Sequence, residues 1–251
     1  MLRKWIRKLL EARGYAVVNT RSTYRYARDG LFTAHNDHFR RDPLFQAAYA
    51  RGVKASRGVD PRMGWRVHVA IWAAATALRV PGDFVECGVN AGFVSSAIMQ
   101  RLDWPQNDKR FFLIDTFSGP ILTQYAEQEA VRLKIAEAAI AKGAYVTDLE
   151  RVRANYSEWR NVEVIRGVVP DVLPVLGARS VAFLHIDMNC AFPERAALEH
   201  FWPLLSPGAM ILFDDYTYFD NERATDAIDS AAALLGARIL SLPTGQGMII
   251  K

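Results

Sequence analysis

Short continuous apolar runs, separated by longer stretches with apolar residues at helical spacing, dominate the chain from Asp83 onward. Continuous runs, as opposed to alternating ones, are typical of strands that are covered on both faces. The runs are Phe84–Val85, Phe111–Ile114, Val162–Ile165, Val181–Ile186 and Ala209–Phe213. Because helical stretches lie between them, the pattern predicts an α/β domain built on a parallel sheet.

Two later segments depart from this simple alternation. Residues 121–160 are rich in Ala, Glu, Lys and Arg at helical spacing, which predicts a helical insert over one end of the sheet. Near the C-terminus, Arg238–Leu242 and Met248–Ile250 are short runs joined by a turn that contains Pro243, Gly245 and Gly247. This is a hairpin signal, so one strand of the otherwise parallel sheet is expected to run antiparallel.

The first 80 residues have a different pattern, which indicates helices and loops. Trp65–Leu78 is an alanine-rich helix that ends at Pro81-Gly82. We expect the polar segment 19–42 to fold over the open end of the sheet as a lid. The predicted organisation is thus a helical extension or lid over 1–80 and one domain over 81–251, with the insert 121–160.

Basic and apolar residues alternate at helical spacing in the segment 1–13. Its basic residues are Arg3, Lys4, Arg7, Lys8 and Arg13. Such a helix can pack on its own domain, or it can contact an anionic membrane surface or a partner. The sequence leaves both alternatives open.

Composition narrows the class of protein. Apolar residues make up 51% of the 251 and charged residues 23%, as in ordinary soluble globular proteins. A net charge of only +4 does not predict nucleic-acid binding. The two cysteines, Cys87 and Cys190, lack C-x-x-C spacing, which argues against a disulfide framework or structural zinc and favours the cytoplasm. No apolar stretch reaches the ~18 residues of a transmembrane segment.

The first strand-to-helix turn carries candidate ligand-binding residues. Ligands of open α/β sheets bind beyond the carboxyl ends of the strands, and Glu86, Gly88 and Gly92 follow the first run there. The glycines allow close approach to the backbone, and the following helix offers free N–H groups. Asn90 replaces the second glycine of the dinucleotide fingerprint, which argues against NAD or FAD. The alternative is that the glycines serve only a tight turn.

Asp115 ends the second run, 23 residues after Gly92. Folds of this kind bind the ribose hydroxyls of a nucleoside at such a position. Phe117 is a candidate apolar face for an adenine. The alternatives are that Asp115 caps the turn at Thr116–Gly119 and that Phe117 belongs to the core.

Three aspartates follow the fourth and fifth runs, namely Asp187, Asp214 and Asp215. If these strands are adjacent, they lie roughly 5 Å apart and the carboxylates converge. A bound cation would compensate their repulsion, and an all-oxygen ligand set selects a hard ion such as Mg²⁺, Ca²⁺ or Mn²⁺ over zinc. Helix capping and ion pairing are the alternatives.

Histidine and a few polar residues are further candidates for the same site. His185 lies two residues before Asp187, either in the site wall or as a core histidine. His35 and His38 lie in the predicted lid, but their spacing is too weak a signal for a metal site. Three polar residues are further pocket candidates, namely Arg66, Arg166 and Gln246. Ion pairing or turn formation is the alternative role for them.

Four segments of this chain resemble the macrocin O-methyltransferase (TylF-like) family, a branch of the class I S-adenosylmethionine-dependent methyltransferases. They are Gly82–Val89, Ile114–Gly119, Leu184–Asp187 and Pro207–Tyr216, within a resemblance that covers about residues 60–251. The resemblance implies a Rossmann-like seven-stranded sheet with the last strand antiparallel. It also implies Mg²⁺-dependent methylation of a hydroxyl, typically on a sugar of a glycosylated natural product.

The resemblance also implies roles for single residues. The methionine part of S-adenosylmethionine would lie at Glu86, Gly88 and Gly92, with Asn90 between the glycines, and the ribose at Asp115. Phe117, Ser118 and Gly119 would surround the adenosine. Asp187, Asp214 and Asp215 would hold the metal, with Asp187 also as the candidate general base. Apart from the resemblance, His185 competes with Asp187 for the role of general base, because an imidazole can also accept the proton. In this sequence Asn189 replaces an acidic residue found in many members, and Cys190-Ala191-Phe192 replaces a Tyr-rich segment.

A metal-dependent sugar O-methyltransferase is the leading hypothesis. We expect a small-molecule acceptor such as a glycoside, and a homodimer or higher homo-oligomer. A methyltransferase of catechol-like diols is the main alternative, since adjacent phenolic oxygens also chelate Mg²⁺. A Mg²⁺ phosphatase with a nucleophilic aspartate is another alternative. Such an enzyme would need an acid two residues after that aspartate, but this chain has Phe117 and Asn189 at those positions. A non-catalytic binding protein is a third alternative.

Overall fold

A seven-stranded sheet forms the centre of the computed structural model, which describes residues 2–15, 25–219 and 221–251. The strands of this sheet are β3 (Asp83–Cys87), β4 (Phe111–Asp115), β5 (Val162–Arg166), β6 (Val181–Ile186), β7 (Leu205–Phe213), β8 (Leu240–Ser241) and β9 (Gly247–Ile250). A separate hairpin precedes them and consists of β1 (Tyr26–Arg28) and β2 (Leu31–Thr33). The helices are α1 (Leu2–Glu11), α2 (Pro43–Ala55), α3 (Gly64–Ala77), α4 (Phe93–Arg101), α5 (Ala130–Ala141), α6 (Leu149–Asn155), α7 (Ala191–Phe201) and α8 (Glu222–Leu234).

The order of strands in the main sheet is β5-β4-β3-β6-β7-β9-β8. The five apolar runs form β3 to β7, and the pairs among these strands are parallel. β9 runs antiparallel to both of its neighbours, β7 and β8. The predicted α/β fold with a reversed final strand is therefore confirmed. Because the chain passes from β3 outward to β5 and then returns to β6, the strand order reverses between β3 and β6, where such sheets bind ligands.

Alternating strand residues divide the core into two layers. On one face Phe84, Phe111 and Phe183 pack against the helices α2, α3 and α4. On the other face Val85 and Leu184 pack with residues of α7 and α8. Burial of both faces explains the short apolar runs of β3, β4 and β6.

The hairpin of β1 and β2 was not expected, since the segment before residue 80 was predicted to hold helices and loops only. Its strands have three residues each and are joined through Asp29 and Gly30, which have φ angles of +52° and +72°. Such short strands leave no apolar period in the sequence, although Asp-Gly is a known turn signal. Residues 19–24 of the predicted lid lie outside the described residues.

Helices α5, of 12 residues, and α6, of 7 residues, lie between β4 and β5, in the segment for which a helical insert was predicted. Within the described ranges, no helix is both long enough and apolar enough to cross a membrane.

Candidate active site

The carboxyl ends of β3, β4, β6 and β7 bring the predicted site residues to one edge of the sheet. Strand pairing sets Glu86 beside His185, and Ile186 beside Phe213. The residues that follow β6 and β7 are therefore neighbours. Asp187, Asp214 and Asp215 each place one carboxylate oxygen within 4.8 Å of the others. The two strands are adjacent, as the convergence of the carboxylates requires, whereas metal binding stays a prediction.

Asp115 holds the turn between β3 and α4. The N–H groups of Val89 and Asn90 each donate to Asp115 Oδ2 at 2.8 Å, and the N–H of Phe117 donates to Oδ1 at 2.7 Å. Asp115 thus ties two neighbouring loops together, as the turn-capping alternative requires. Its side chain also lines a cavity, so ribose binding stays a prediction.

Close approach of other groups explains two glycines in this turn. Gly88 has a φ of +93°, and a Cβ there would overlap the backbone carbonyl of Asp187. Gly92 has a φ of +81°, and a Cβ there would overlap the hydroxyl of Tyr156. Packing alone accounts for Gly92, whereas Gly88 also lines the cavities of the site.

Two solvent-open cavities share a border at the ends of β3 and β6. The first, of about 740 Å³, is lined by Asp115, Gly119 and the loop after β5. The second, of about 1170 Å³, is lined by Glu86, Met63 and Phe93. The residues that border both cavities are Gly88, Asn90, Tyr145 and Asp187.

The three residues predicted to surround the adenosine, Phe117, Ser118 and Gly119, lie in three different environments. Gly119 lines the first cavity. Phe117 is only 1% exposed and belongs to the core layer on the side of α2, α3 and α4. Ser118 is exposed and lines neither of the two cavities. For Phe117 the structure therefore agrees with the core alternative.

Two arginines reach the aspartate cluster from distant parts of the chain. Arg66 of α3 donates through Nη1 to Asp214 Oδ2 at 2.6 Å and contacts Asp215 Oδ1 at 3.3 Å. Arg132 of α5 donates to Asn189 Oδ1 at 2.6 Å and lies 3.4 Å from Asp215 Oδ2. Ion pairing, one of the alternatives left open by the sequence, is therefore present at Asp214 and Asp215.

Burial and like charges set the pKa values of the three aspartates. Burial, followed by the charges of Asp214 and Asp215, raises the pKa of Asp187 well above its usual range. Burial and the charge of Asp214 also raise the pKa of Asp215. Burial acts in the same direction on Asp214, but neighbouring donors, chiefly Arg66, outweigh it and hold the pKa of Asp214 well below its usual range. The ionised form is thus less favoured at Asp187 than at Asp214.

His185 connects Glu86 to the aspartate cluster beneath the cavities. Its Nδ1 lies 2.9 Å from Glu86 Oε1, and its Nε2 lies 3.6 Å from Asp214 Oδ1, beyond normal hydrogen-bond length. Burial lowers the pKa of His185, but the two carboxylates outweigh burial and raise it to about 10. The ring is fully buried and lines neither of the two cavities, and its hydrogen-bond contact is with Glu86.

The pocket candidates Arg66 and Gln246 meet at Asp214. Gln246 donates to Asp214 Oδ1 at 2.8 Å. Arg166, the third candidate, is exposed at the end of β5 and lines neither of the two cavities. Sequence reasoning missed Arg132 and Tyr145, both in the helical insert region, because no spacing links them to the strand ends.

The residues present fit a hard divalent cation. Asp187, Asp214 and Asp215 supply only oxygen atoms, which suits Mg²⁺ better than zinc. Burial raises the pKa values of Asp187 and Asp215 most, and the charge of Asp214 raises them further, which a bound cation would offset.

Known proteins are similar to this region in sequence and in fold. Residues 85–216, just over half of the chain, match a family described as a methyltransferase domain. The chain is 32% identical over 145 residues to the 8-demethyl-8-(2,3-dimethoxy-alpha-L-rhamnosyl)-tetracenomycin-C 4'-O-methyltransferase of Streptomyces olivaceus, covering 55% of this chain and 54% of the relative. It is 28% identical over 151 residues to the mycinamicin III 3''-O-methyltransferase of Micromonospora griseorubida, covering 56% and 58%.

Solved structures share the fold at lower identity. The O-methyltransferase NovP superposes with a TM-score of 0.66 at 17% identity, covering 86% of this chain and 99% of that one. The calicheamicin methyltransferase CalS11 gives a TM-score of 0.54 at 19% identity, with coverages of 73% and 77%. This chain spans just over half the length of the two curated relatives. The family match over residues 85–216 shows that the chain belongs to the methyltransferase-domain family.

Proposed function

We propose that this protein transfers the methyl group of S-adenosylmethionine to a sugar hydroxyl of a glycosylated small molecule, with Mg²⁺ as the metal. The observation that carries the proposal is the convergence of Asp187, Asp214 and Asp215 beside two adjoining cavities. The names of the two curated relatives, both O-methyltransferases, support the reaction class. The TylF-like resemblance supports the sugar acceptor and the metal.

The two cavities suggest how the substrates divide the site. We assign the nucleoside of the cofactor to the first cavity, where Asp115 and Gly119 lie, and its methionine part to the border at Gly88 and Asn90. The acceptor would occupy the second cavity, which shares that border. Tyr145 lies at the same border and would limit access of water to the reacting atoms.

Asp187 has the best position to accept the proton of the acceptor hydroxyl. Its side chain is partly exposed and borders both cavities, whereas Asp214 and Asp215 are buried against Arg66. When bound, the metal would lower the pKa of the hydroxyl and orient it. His185 would act indirectly, by keeping Asp214 ionised and Glu86 in place.

A methyl-transfer screen tests the proposal. The protein is incubated with labelled S-adenosylmethionine and panels of glycosides and of catechols, with Mg²⁺ or with EDTA. We expect transfer to a glycoside that EDTA abolishes. Transfer to catechols alone would reject the sugar acceptor, and full activity in EDTA would reject the metal.

Calorimetry tests the cofactor separately from the acceptor. S-adenosylmethionine is expected to bind and NAD is not. Asp115→Ala is expected to weaken cofactor binding, while Asp108→Ala, at an exposed aspartate outside both cavities, serves as the matched control. Binding of NAD, or of neither ligand, would contradict the cofactor assignment.

We further propose that residues 1–80 act as a helical extension or lid on a catalytic domain over 81–251, and that the protein is cytoplasmic and homo-oligomeric. Light scattering on the purified chain measures the oligomeric state, and a monomer at all concentrations would reject that part.

A further inference from the structure

The N-terminal helix α1 separates apolar from charged side chains along its length. At 100° per residue, Trp5, Ile6, Leu9 and Leu10 fall on one arc of the helix. The opposite arc holds only charged residues, namely Lys4, Arg7, Lys8 and Glu11. Such a clean division of a basic helix is typical of segments that lie in the interface of a bilayer.

The apolar arc of α1 is not covered by the described part of the protein. Trp5 is 63% exposed, Ile6 is 42% exposed and Leu9 is 39% exposed. The structure therefore does not support the alternative in which this helix packs on its own domain. Neighbouring large apolar side chains that stay in water mark an interaction surface.

The net positive charge of the chain is concentrated in residues 1–13. Residues 1–13 contain five basic residues and one acid, Glu11, and hence a net charge of +4. The chain as a whole has 31 basic and 27 acidic residues, so 26 of each remain in residues 14–251. The net charge of the remainder is zero. The charge that attracts an anionic surface thus lies beside the apolar arc.

We propose that α1 is a peripheral membrane anchor that binds anionic phospholipid. Trp5, Ile6 and Leu9 enter the boundary between headgroups and acyl chains, while Lys4, Arg7 and Lys8 remain among the phosphates. An anionic lipid surface matches both halves of the helix. A second copy of this helix would match the apolar arc but bring like charges together.

Co-sedimentation of the full chain with vesicles tests the anchor. Vesicles of phosphatidylcholine alone are compared with vesicles that also contain phosphatidylglycerol. We expect binding only to the anionic vesicles, and release when NaCl is raised from about 0.05 M to about 0.5 M, since the Debye length falls from roughly 14 Å to 4 Å. Equal binding to neutral vesicles, or no binding to either, would overturn the proposal.

Two variants separate the apolar from the electrostatic contribution. Trp5→Ala/Ile6→Ala/Leu9→Ala is expected to weaken vesicle binding at least about tenfold, because it removes the inserted surface. Lys4→Gln/Arg7→Gln/Lys8→Gln is expected to weaken it about a hundredfold, at roughly fivefold for each charge near an anionic surface. Both variants should keep the thermal midpoint of the parent, since the side chains are exposed.

The matched control removes three exposed apolar side chains elsewhere, as Trp72→Ala/Val175→Ala/Leu234→Ala. It should bind anionic vesicles like the parent. Wild-type binding by either α1 variant would overturn the proposal, as would an equal loss in the control. If the apolar variant instead turned an oligomer into a monomer and the parent ignored vesicles, the arc would be a protein interface.

Discussion

Replacing Arg66 by Gln removes the cation that lies closest to the aspartate cluster while keeping a side chain of similar length. The guanidinium of Arg66 bonds Asp29 at 2.7 and 3.0 Å and Asp214 at 2.6 Å, and it lies over the ring of Tyr218 at 5.2 Å. Only 14% of the Arg66 side chain is exposed, against 9% for Asp29 and 4% for Asp214. The substitution therefore leaves buried carboxylates without their partner.

The expected loss in the free energy of unfolding follows from this burial. Removing one member of a buried ion pair costs about 3–5 kcal/mol, because the remaining charge stays desolvated. A loss of about 3 kcal/mol corresponds to a fall of roughly 6–12 °C in the thermal midpoint for a chain of this size. Urea unfolding of the metal-free protein in EDTA measures the free energy directly.

The stabilisation of Arg66→Gln and of wild type by Mg²⁺ is a second measurement. If the three aspartates bind the ion, it should restore about 2.7 kcal/mol to Arg66→Gln when its concentration is a hundred times the Kd. At the Mg²⁺ concentration that is a hundred times the Kd of Arg66→Gln, wild type should gain less, because the Arg66 guanidinium already contacts Asp214 and Asp215 and weakens Mg²⁺ binding.

Arg110→Gln is the matched control, since its ion pair with Asp83 is 2.9 Å long but Arg110 is 39% exposed. Its cost should stay below about 1 kcal/mol. A cost for Arg66→Gln as small as that of the control would refute the reasoning about burial. Absence of any Mg²⁺ effect on either protein would refute the metal site.

Three further predictions concern the same site. Asp214→Asn should abolish Mg²⁺-dependent methyl transfer while leaving the Kd for S-adenosylmethionine within about twofold; equal loss of both would contradict the division of the site. Because the pKa of His185 is raised from 6.5 to about 10, its contribution to stability is complete below about pH 6.5 and is lost as the pH rises toward 10. Urea unfolding of wild type at about pH 6 and pH 9.5 should show this loss, and His185→Gln should show a flatter profile. Gly88→Ala should destabilise the protein by more than about 1 kcal/mol, because its Cβ meets the Asp187 carbonyl; Gly30→Ala, at a similar φ in open space, separates backbone strain from overlap.

Local patterns were sufficient for the sheet and for part of the site. Strands β3, β4, β6 and the second half of β7 are largely buried on both faces, so each leaves a short apolar run, whereas β5 lies at the edge of the sheet and carries the exposed Glu163. The residue after such a run necessarily lies at the carboxyl edge of the sheet, which is why Asp115, Asp187 and Asp214 could be placed there. The turn with Gly245 likewise indicated the antiparallel pairing of β8 and β9.

Long-range packing was required for the charges around those aspartates. Arg66 lies 148 residues from Asp214, and Arg132 lies 83 residues from Asp215, so no local spacing connects either pair. The same holds for Phe117, whose direction into the core depends on the helices above the sheet. Ion pairing and burial depend on which elements meet in space, and the folded arrangement alone shows that the acids predicted to need a cation already share two arginines.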